Sequence, residues 1–197
     1  MSVLGLSYLN ELVNNTADIR ANEVLIRLRD HIIKTLHQKN NSKSARDGME
    51  MALFILDLES NNLQFSGARR PLYLIRDKQL IELPGDKMPL GINDEEKNPF
   101  TNKDIEFRKN DIVYLFSDGY VDQMGGPDRK TFKTKKLKEL LLNNCHLPMN
   151  EQKKVLETSL DEWRSGVEQI DDIMVIGIKF KFDAIVGKAI PADQYSI

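Results

Sequence analysis

The stretch Ile112-Val113-Tyr114-Leu115-Phe116-Ser117-Asp118-Gly119 has the pattern of a short apolar strand that runs into an aspartate. A second stretch, Asp171-Asp172-Ile173-Met174-Val175-Ile176-Gly177-Ile178, begins with aspartates and continues as an apolar strand. If the two strands pair antiparallel, Asp118 and Asp171 fall at the same edge of the sheet. Carboxylates gathered there repel each other unless a cation neutralises them, and all-oxygen ligands suit Mg²⁺ or Mn²⁺. Two ordinary turns are the alternative, because Asp and Gly are common turn residues.

Length and composition are those of one globular domain. The chain has 197 residues, of which 41% are hydrophobic and 29% charged, and its formal net charge is −2. This balance gives no general attraction to nucleic acid or to anionic membranes. No apolar run approaches the roughly 20 residues of a membrane span, and Met1–Tyr8 lacks the regions of a secretory signal. The single cysteine, Cys145, excludes an internal disulfide and a cysteine-rich zinc site, so a cytoplasmic location is expected.

The order of the predicted elements favours an α+β fold with antiparallel sheet. Apolar residues at helical spacing predict one helix near the start and a second one to about Gln38. The middle is rich in strands, and Met51–Leu58 is so continuously apolar that it predicts a central strand covered on both faces. A meander follows, with a weaker strand at Phe100–Phe107. Two helices then precede the last strand, an order that argues against alternating βαβ units. Residues 181–197 have little periodicity and predict a tail.

Four stretches together give the sequence a resemblance to a known family. In this order they are similar to the SpoIIE-type branch of the metal-dependent (PPM) serine/threonine protein phosphatases, from residue 2 to about residue 180. The combination is specific, whereas Ser-Asp-Gly alone is common. The stretches are Gly48-Met49-Glu50-Met51-Ala52-Leu53, Ser66-Gly67-Ala68-Arg69-Arg70-Pro71-Leu72-Tyr73, Ser117-Asp118-Gly119-Tyr120-Val121-Asp122-Gln123 and Gln169-Ile170-Asp171-Asp172-Ile173.

The resemblance implies a fold, a cofactor and a reaction. The fold is a sandwich of two antiparallel sheets flanked by helices, with two Mg²⁺ or Mn²⁺ ions in the cleft between them. Members hydrolyse phosphoserine or phosphothreonine on partner proteins, many of them small anti-anti-sigma regulators of bacteria. Two bridged ions generate hydroxide from a shared water and neutralise phosphate oxygens, so no protein nucleophile is required.

The same resemblance assigns roles to four aspartates. Asp118 and Asp171 would be catalytic residues and side-chain metal ligands. Asp172 occupies the neighbouring position, where it either belongs to the metal site, supports it from behind or forms a turn. Asp122 lies where the family often has an acidic residue near the site.

The sequence also departs from the family pattern. Members begin with a strand ending in Gly-Asp and an Asp-Gly-His-Gly-like turn, which bridge the two metals, and no such motif precedes residue 48. We therefore expect residues 1–180 to be an N-terminally truncated phosphatase domain, with Met1 either an internal methionine of a longer protein or a true start. Asp118 and Asp171 alone are too few for a two-metal site, so metal binding and activity should be weak or absent. An exposed sheet edge should favour a homo-oligomer. The alternative is a non-catalytic partner-binding module that retains the fold.

Three further features have two interpretations each. The basic run from Arg129 to Lys138 is typical of a solvated helix face, with a phosphoprotein-docking patch as the alternative. Gly125-Gly126 either hinges a loop that gates a cleft or forms an ordinary turn. Arg69-Arg70 favours a surface turn over a contact with substrate.

Overall fold

Helices and antiparallel strands make up the described part of the chain. The structure, a computed structural model, describes residues 2–16, 18–36, 48–92 and 99–181. The helices are α1 (Ser2–Asn15), α2 (Ala21–Thr35), α3 (Asp118–Asp122), α4 (Thr134–Asn144) and α5 (Met149–Arg164). The strands are β1 (Met51–Asp57), β2 (Asn62–Ala68), β3 (Leu72–Arg76), β4 (Gln79–Leu83), β5 (Lys103–Glu106), β6 (Ile112–Phe116), β7 (Met124–Gly125), β8 (Lys130–Thr131) and β9 (Val175–Lys179).

The longer strands form two antiparallel sheets that stack face to face. One sheet has the order β1-β2-β5 and the other the order β4-β3-β6-β9, while β7 and β8 form a separate small hairpin. Alternate residues of both sheets point into a shared apolar layer, as the two-residue period of a strand requires. Its buried members include Leu63, Phe65, Leu72, Leu74, Val113 and Leu115. The predicted α+β sandwich of antiparallel sheets is confirmed.

Helices cover the outer faces of both sheets. Apolar residues of α2 at three- and four-residue spacing are fully buried against the β1-β2-β5 sheet, among them Leu25, Leu28 and Ile32. On the other sheet, Leu137 and Leu141 of α4 are buried with α5 alongside. Each fully buried leucine of this kind stabilises the fold by about 1.5–3 kcal/mol relative to an exposed one.

The position of β1 differs from the prediction. β1 pairs with β2 and has no second strand neighbour among the described residues, so it is an edge strand rather than a central one. Its apolar run arises because both faces are partly covered: Phe54 and Leu56 join the layer between the sheets, and Leu53 packs towards α2. A continuous apolar run predicts coverage of both faces, but it contains no information on how many strands lie alongside.

Two other expectations have a simple outcome. The weak strand predicted at Phe100–Phe107 is present as the shorter β5. The tail predicted for residues 181–197 lies outside the described residues beyond Lys181. Within the described ranges, no helix combines the length and the apolar character that crossing a bilayer would require.

Candidate active site

Pairing of β6 with β9 brings the aspartates together at one end of the sheet. The strands are antiparallel, with Phe116 opposite Val175, and the Ser117 amide donates to the Met174 carbonyl at 3.0 Å. Asp118 therefore follows β6 at the same end at which Asp171 precedes β9. The sequence predicted this placement from the strand patterns alone.

Ser117 ties the two aspartate-bearing segments to each other. Its hydroxyl donates to the Asp172 carbonyl at 2.8 Å and accepts from the Met174 amide at 2.9 Å. Gly119 completes the contact, because a Cβ at this position would lie 2.5 Å from the Asp172 carbonyl oxygen. The Ser-Asp-Gly sequence thus has a structural reason: both flanking residues allow the Asp171–Asp172 backbone to approach Asp118 closely.

Asp118 is the first residue of α3, and its carboxylate is 40% exposed. The Arg70 guanidinium, which is 17% exposed, contacts this carboxylate and also the carboxylate of Glu50. Arg69 lies on the other side of Glu50, with Nη1 3.5 Å from Oε1. The four side chains form an ion-pair cluster of zero formal charge, in which one arginine is shared by two acids.

The Arg70 side chain and Glu50 are the site residues that the sequence interpretation missed. The chain does turn at this corner, where Arg69 has a φ of 62°. Arg70, however, is mostly buried between carboxylates rather than free on a surface turn. Glu50 lies in one of the stretches that resemble the family. Its position as an acidic residue directly before an apolar strand could have identified it as a candidate site residue.

The remaining aspartates lie further towards solvent. The Asp171 carboxylate accepts from the Asp172 amide at 2.8 Å, and the Gln169 side chain donates to the Asp171 carbonyl at 2.9 Å. Asp122 is exposed at the end of α3, one helical turn from Asp118. Asp122, Asp171 and Asp172 are therefore exposed at this end of the sheet, and the described contacts of Asp171 are local.

The donor set of the described residues does not fit a two-metal site. Across the described ranges, no group of three or more His, Cys, Asp or Glu side chains is arranged to hold a metal ion. The better placed carboxylate, Asp118, already has a cationic partner in Arg70. A guanidinium and a divalent cation compete for the same oxygens, so the described residues by themselves form a poor metal site.

Helix α3 and the hairpin beside it are held by α5. The Tyr120 hydroxyl donates to the Leu156 carbonyl at 2.8 Å. Burial raises the pKa of the Tyr120 phenol above its usual range, so it remains a neutral donor. Behind it, the ring of Phe132 packs edge-on against both Tyr120 and Trp163. The first turn of α3, and Asp118 with it, therefore sits on a rigid aromatic support.

The glycine pair 125–126 serves a close approach. A Cβ on Gly125 would lie 2.1 Å from the Trp163 carbonyl oxygen, and the Gly126 amide donates to that oxygen at 2.7 Å. Trp163 in turn donates from Nε1 to the Gln123 carbonyl at 3.0 Å. The hairpin is thus a turn fastened to α5, which agrees with the ordinary-turn interpretation of the glycines.

Several cations of the basic run have local partners. Lys138 lies 2.6 Å from Glu82, Lys130 lies 3.0 Å from Asp128, and Lys136 sits 3.4 Å from the centroid of the Trp163 ring. These contacts favour a surface that stabilises its own helix over a dedicated docking patch.

Comparison with known proteins adds the family. A family model described as Stage II sporulation protein E (SpoIIE) matches residues 1–181. The chain belongs to the SpoIIE family. This SpoIIE-family chain therefore carries the fold and the phosphatase ancestry of its relatives, and phosphatases of the family generally use Mn²⁺ or Mg²⁺. Comparison with curated protein sequences gives no match.

Solved structures share the fold at low sequence identity. The SiaA-PP2C domain of Pseudomonas aeruginosa is 20% identical with a TM-score of 0.79, over 91% of this chain and 68% of that one. The PP2C phosphatase domain and a regulatory fragment of SpoIIE from Bacillus subtilis are 18% identical with a TM-score of 0.65, over 89% and 48%. The RsbU and RsbW domains of Rv1364c from Mycobacterium tuberculosis are 18% identical with a TM-score of 0.62, over 89% and 45%.

Proposed function

We propose that this chain provides Asp118 and Asp171 to a metal-dependent phosphatase site that hydrolyses phosphoserine or phosphothreonine on a regulatory protein. The observation that carries the proposal is the register of β6 and β9, which brings both carboxylates to one end of a sheet. Membership of the SpoIIE family supports the phosphatase class. Asp172 contributes through its backbone, since its carbonyl oxygen accepts from Ser117 and abuts Gly119.

The chain by itself is proposed to be a weak phosphatase or an inactive one. Hydrolysis of a phosphate ester by this family's chemistry needs cations that stabilise both the attacking and the leaving oxygen. The described residues offer a guanidinium that is already shared between Glu50 and Asp118. Carboxylates beyond those of the described residues would be needed to gather divalent ions against the competition of Arg70.

A regulatory phosphoprotein is the proposed substrate class. The family resemblance points to small anti-anti-sigma regulators, and the fold neighbour from Mycobacterium tuberculosis has an RsbW domain in the same protein as its RsbU domain.

The test is release of phosphate from a phosphoserine peptide by the purified chain in the presence of Mn²⁺. We expect weak or undetectable turnover in the wild-type chain, and loss of any turnover in Asp118→Asn. The matched control is Asp128→Asn, which removes an exposed carboxylate whose ion pair in the described structure is with Lys130. Strong turnover that survives Asp118→Asn would contradict the assignment of the site. Strong turnover that is abolished by Asp118→Asn would support the assignment of the site. It would refute the prediction that the chain alone is a weak phosphatase.

The second candidate is a non-catalytic partner-binding module that retains the phosphatase fold. The cluster of Glu50 and Asp118 with Arg69 and Arg70, whose formal charge is zero, favours it, because a salt-bridged site can persist without metal. Binding of a phosphorylated anti-anti-sigma protein with equal affinity in the presence of Mn²⁺ and of a chelator, and without phosphate release, would support the module over the enzyme.

A further inference from the structure

A cavity of about 480 Å³ lies between α5 and the outer face of the β6-β9 pair. Its helical wall runs from Met149 to Leu160, which is about three turns or roughly 16 Å. A Cβ on Gly177 would lie 2.6 Å from the Met149 methyl group, so the start of α5 sits directly over Gly177. Ile173, four residues earlier in the chain, therefore lies towards the other end of the cavity.

The deep wall of the cavity presents polar groups that already have partners in the protein. The Tyr114 hydroxyl donates to the Gln152 side-chain oxygen, and the Gln152 amide donates to the Leu147 carbonyl at 2.9 Å. The Tyr120 hydroxyl donates to the Leu156 carbonyl at 2.8 Å. Because both phenol donors are used in this way, an entering polar group would lose water without gaining an equivalent bond. The part of a ligand that enters this cavity is therefore apolar.

The other inward-facing side chains of the cavity are apolar and only partly buried. They are Leu156, Leu160, Ile173 and Val175. Contact of such surface with a ligand removes apolar area from water on both sides. Each methylene group that enters tightens binding by about 4-fold.

Charge is distributed unequally along the mouth of the cavity. Lys153 lines it near the start of α5 and lies 3.7 Å from Glu157, with the Lys153 side chain 76% exposed. An exposed pair of this kind contributes little, so the lysine is available to another anion. At the far end, Ile173 follows the exposed Asp171 and Asp172, which repel an anionic group. A ligand with one negative charge therefore places it at Lys153 and its apolar part towards Ile173.

We propose that this cavity binds a straight-chain fatty acid, with the alkyl chain along α5 and the carboxylate at Lys153. A cavity of this volume stretched over three helical turns is narrow, so it fits one flexible chain better than a ring system. Carbon–carbon bonds of about 1.5 Å advance an extended chain by about 1.25 Å per carbon, so roughly twelve carbons span the cavity. The bound chain packs against Tyr120 and Ile173, behind the segments that carry Asp118 and Asp172.

The first test is isothermal titration calorimetry of the full chain with saturated fatty acids of about 8 to 16 carbons, each below its micelle-forming concentration. We expect the affinity to rise about 4-fold per added methylene up to roughly twelve carbons and then to level off. Dodecylamine, which has the same chain and a positive head group, should bind at least about 3-fold more weakly than dodecanoate. Absence of dodecanoate binding, or an affinity that rises steadily to sixteen carbons as in adsorption to a surface, would overturn the proposal.

Two variants test the position of the ligand. Val175→Trp fills the cavity and should weaken dodecanoate binding at least about 10-fold, a loss similar to that of two methylene groups. Lys153→Glu should weaken dodecanoate binding about 3- to 10-fold and should favour dodecylamine instead. The matched control is Lys154→Glu, which reverses the next exposed lysine of α5, a residue that does not line the cavity. Circular dichroism should show all three variants folded.

Three outcomes of the variant experiments would contradict the proposal. One is dodecanoate binding that is unchanged in a folded Val175→Trp protein. Another is an equal loss of affinity in Lys153→Glu and Lys154→Glu. The third is no dodecanoate binding together with a concentration-dependent oligomer that Val175→Trp disrupts, which would assign the cavity to a second copy of the chain. None of these measurements depends on phosphatase activity.

Discussion

Replacement of Arg70 by glutamine should make the acidic site a better cation ligand. In the structure the Arg70 guanidinium contacts both Asp118 and Glu50, and it is the positive charge closest to Asp118 among the described contacts. The glutamine side chain would keep most of the length and the hydrogen-bonding character of the arginine but remove its charge. The two carboxylates would then attract a divalent cation without an internal competitor.

The expected gain in Mn²⁺ affinity follows from Coulomb's law with solvent screening. A unit charge about 4 Å from a carboxylate is worth about 4 kcal/mol at an effective dielectric constant near 20. Since the Asp118 side chain is 40% exposed, water screens much of this, and about 1–2 kcal/mol remains. This corresponds to Mn²⁺ binding that is about 5- to 30-fold tighter in Arg70→Gln than in the wild type.

Electron paramagnetic resonance of free Mn²⁺ gives the affinity directly during a titration of each protein. Arg69→Gln is the matched control, because Arg69 contacts Glu50 at 3.5 Å and is half-exposed. Its effect should be several-fold smaller. Equal or weaker Mn²⁺ binding by Arg70→Gln, in a protein shown to be folded, would refute the view that Arg70 occupies the place of a metal.

Two further predictions concern the framework of the site and are checked by denaturant unfolding. Gly119→Ala places a Cβ 2.5 Å from the Asp172 carbonyl oxygen, so it should lower the free energy of unfolding by about 1–3 kcal/mol; unchanged stability would mean that this contact is not close. Arg76→Met leaves Asp111, which is 2% exposed, without its guanidinium partner and should cost about 3–5 kcal/mol. The exposed pair removed by Lys130→Met should cost less than about 1 kcal/mol, and equal losses in the two variants would contradict the role of burial.

The sequence predicted the location of the aspartates because that location depends on local patterns. Two apolar strands of similar length, one followed and one preceded by aspartate, can place both carboxylates at one edge only if they pair antiparallel. The register of β6 with β9 satisfies this condition. The helices were predictable for the same reason, since the spacing of their apolar residues identifies the buried face.

The Glu50–Arg70–Asp118 cluster was not predictable because it depends on tertiary packing. Arg70 and Asp118 are far apart in the sequence and meet only because the chain turns at Arg69 between β2 and β3. The edge position of β1 was missed for a related reason. An apolar run reports that both faces are covered, but the number of neighbouring strands is set by the rest of the fold.

Anomalous diffraction from crystals of this chain soaked in Mn²⁺ would show whether Asp118 and Asp171 bind metal while Arg70 is present. The result at stake is that Arg70 holds Asp118 and Glu50 in ion pairs, so that the described residues do not bind a pair of metal ions by themselves. The predicted result is Arg70 still in contact with Asp118 and no pair of Mn²⁺ ions between Asp118 and Asp171. Two strong anomalous peaks bound by Asp118 and Asp171, with Arg70 displaced, would contradict it.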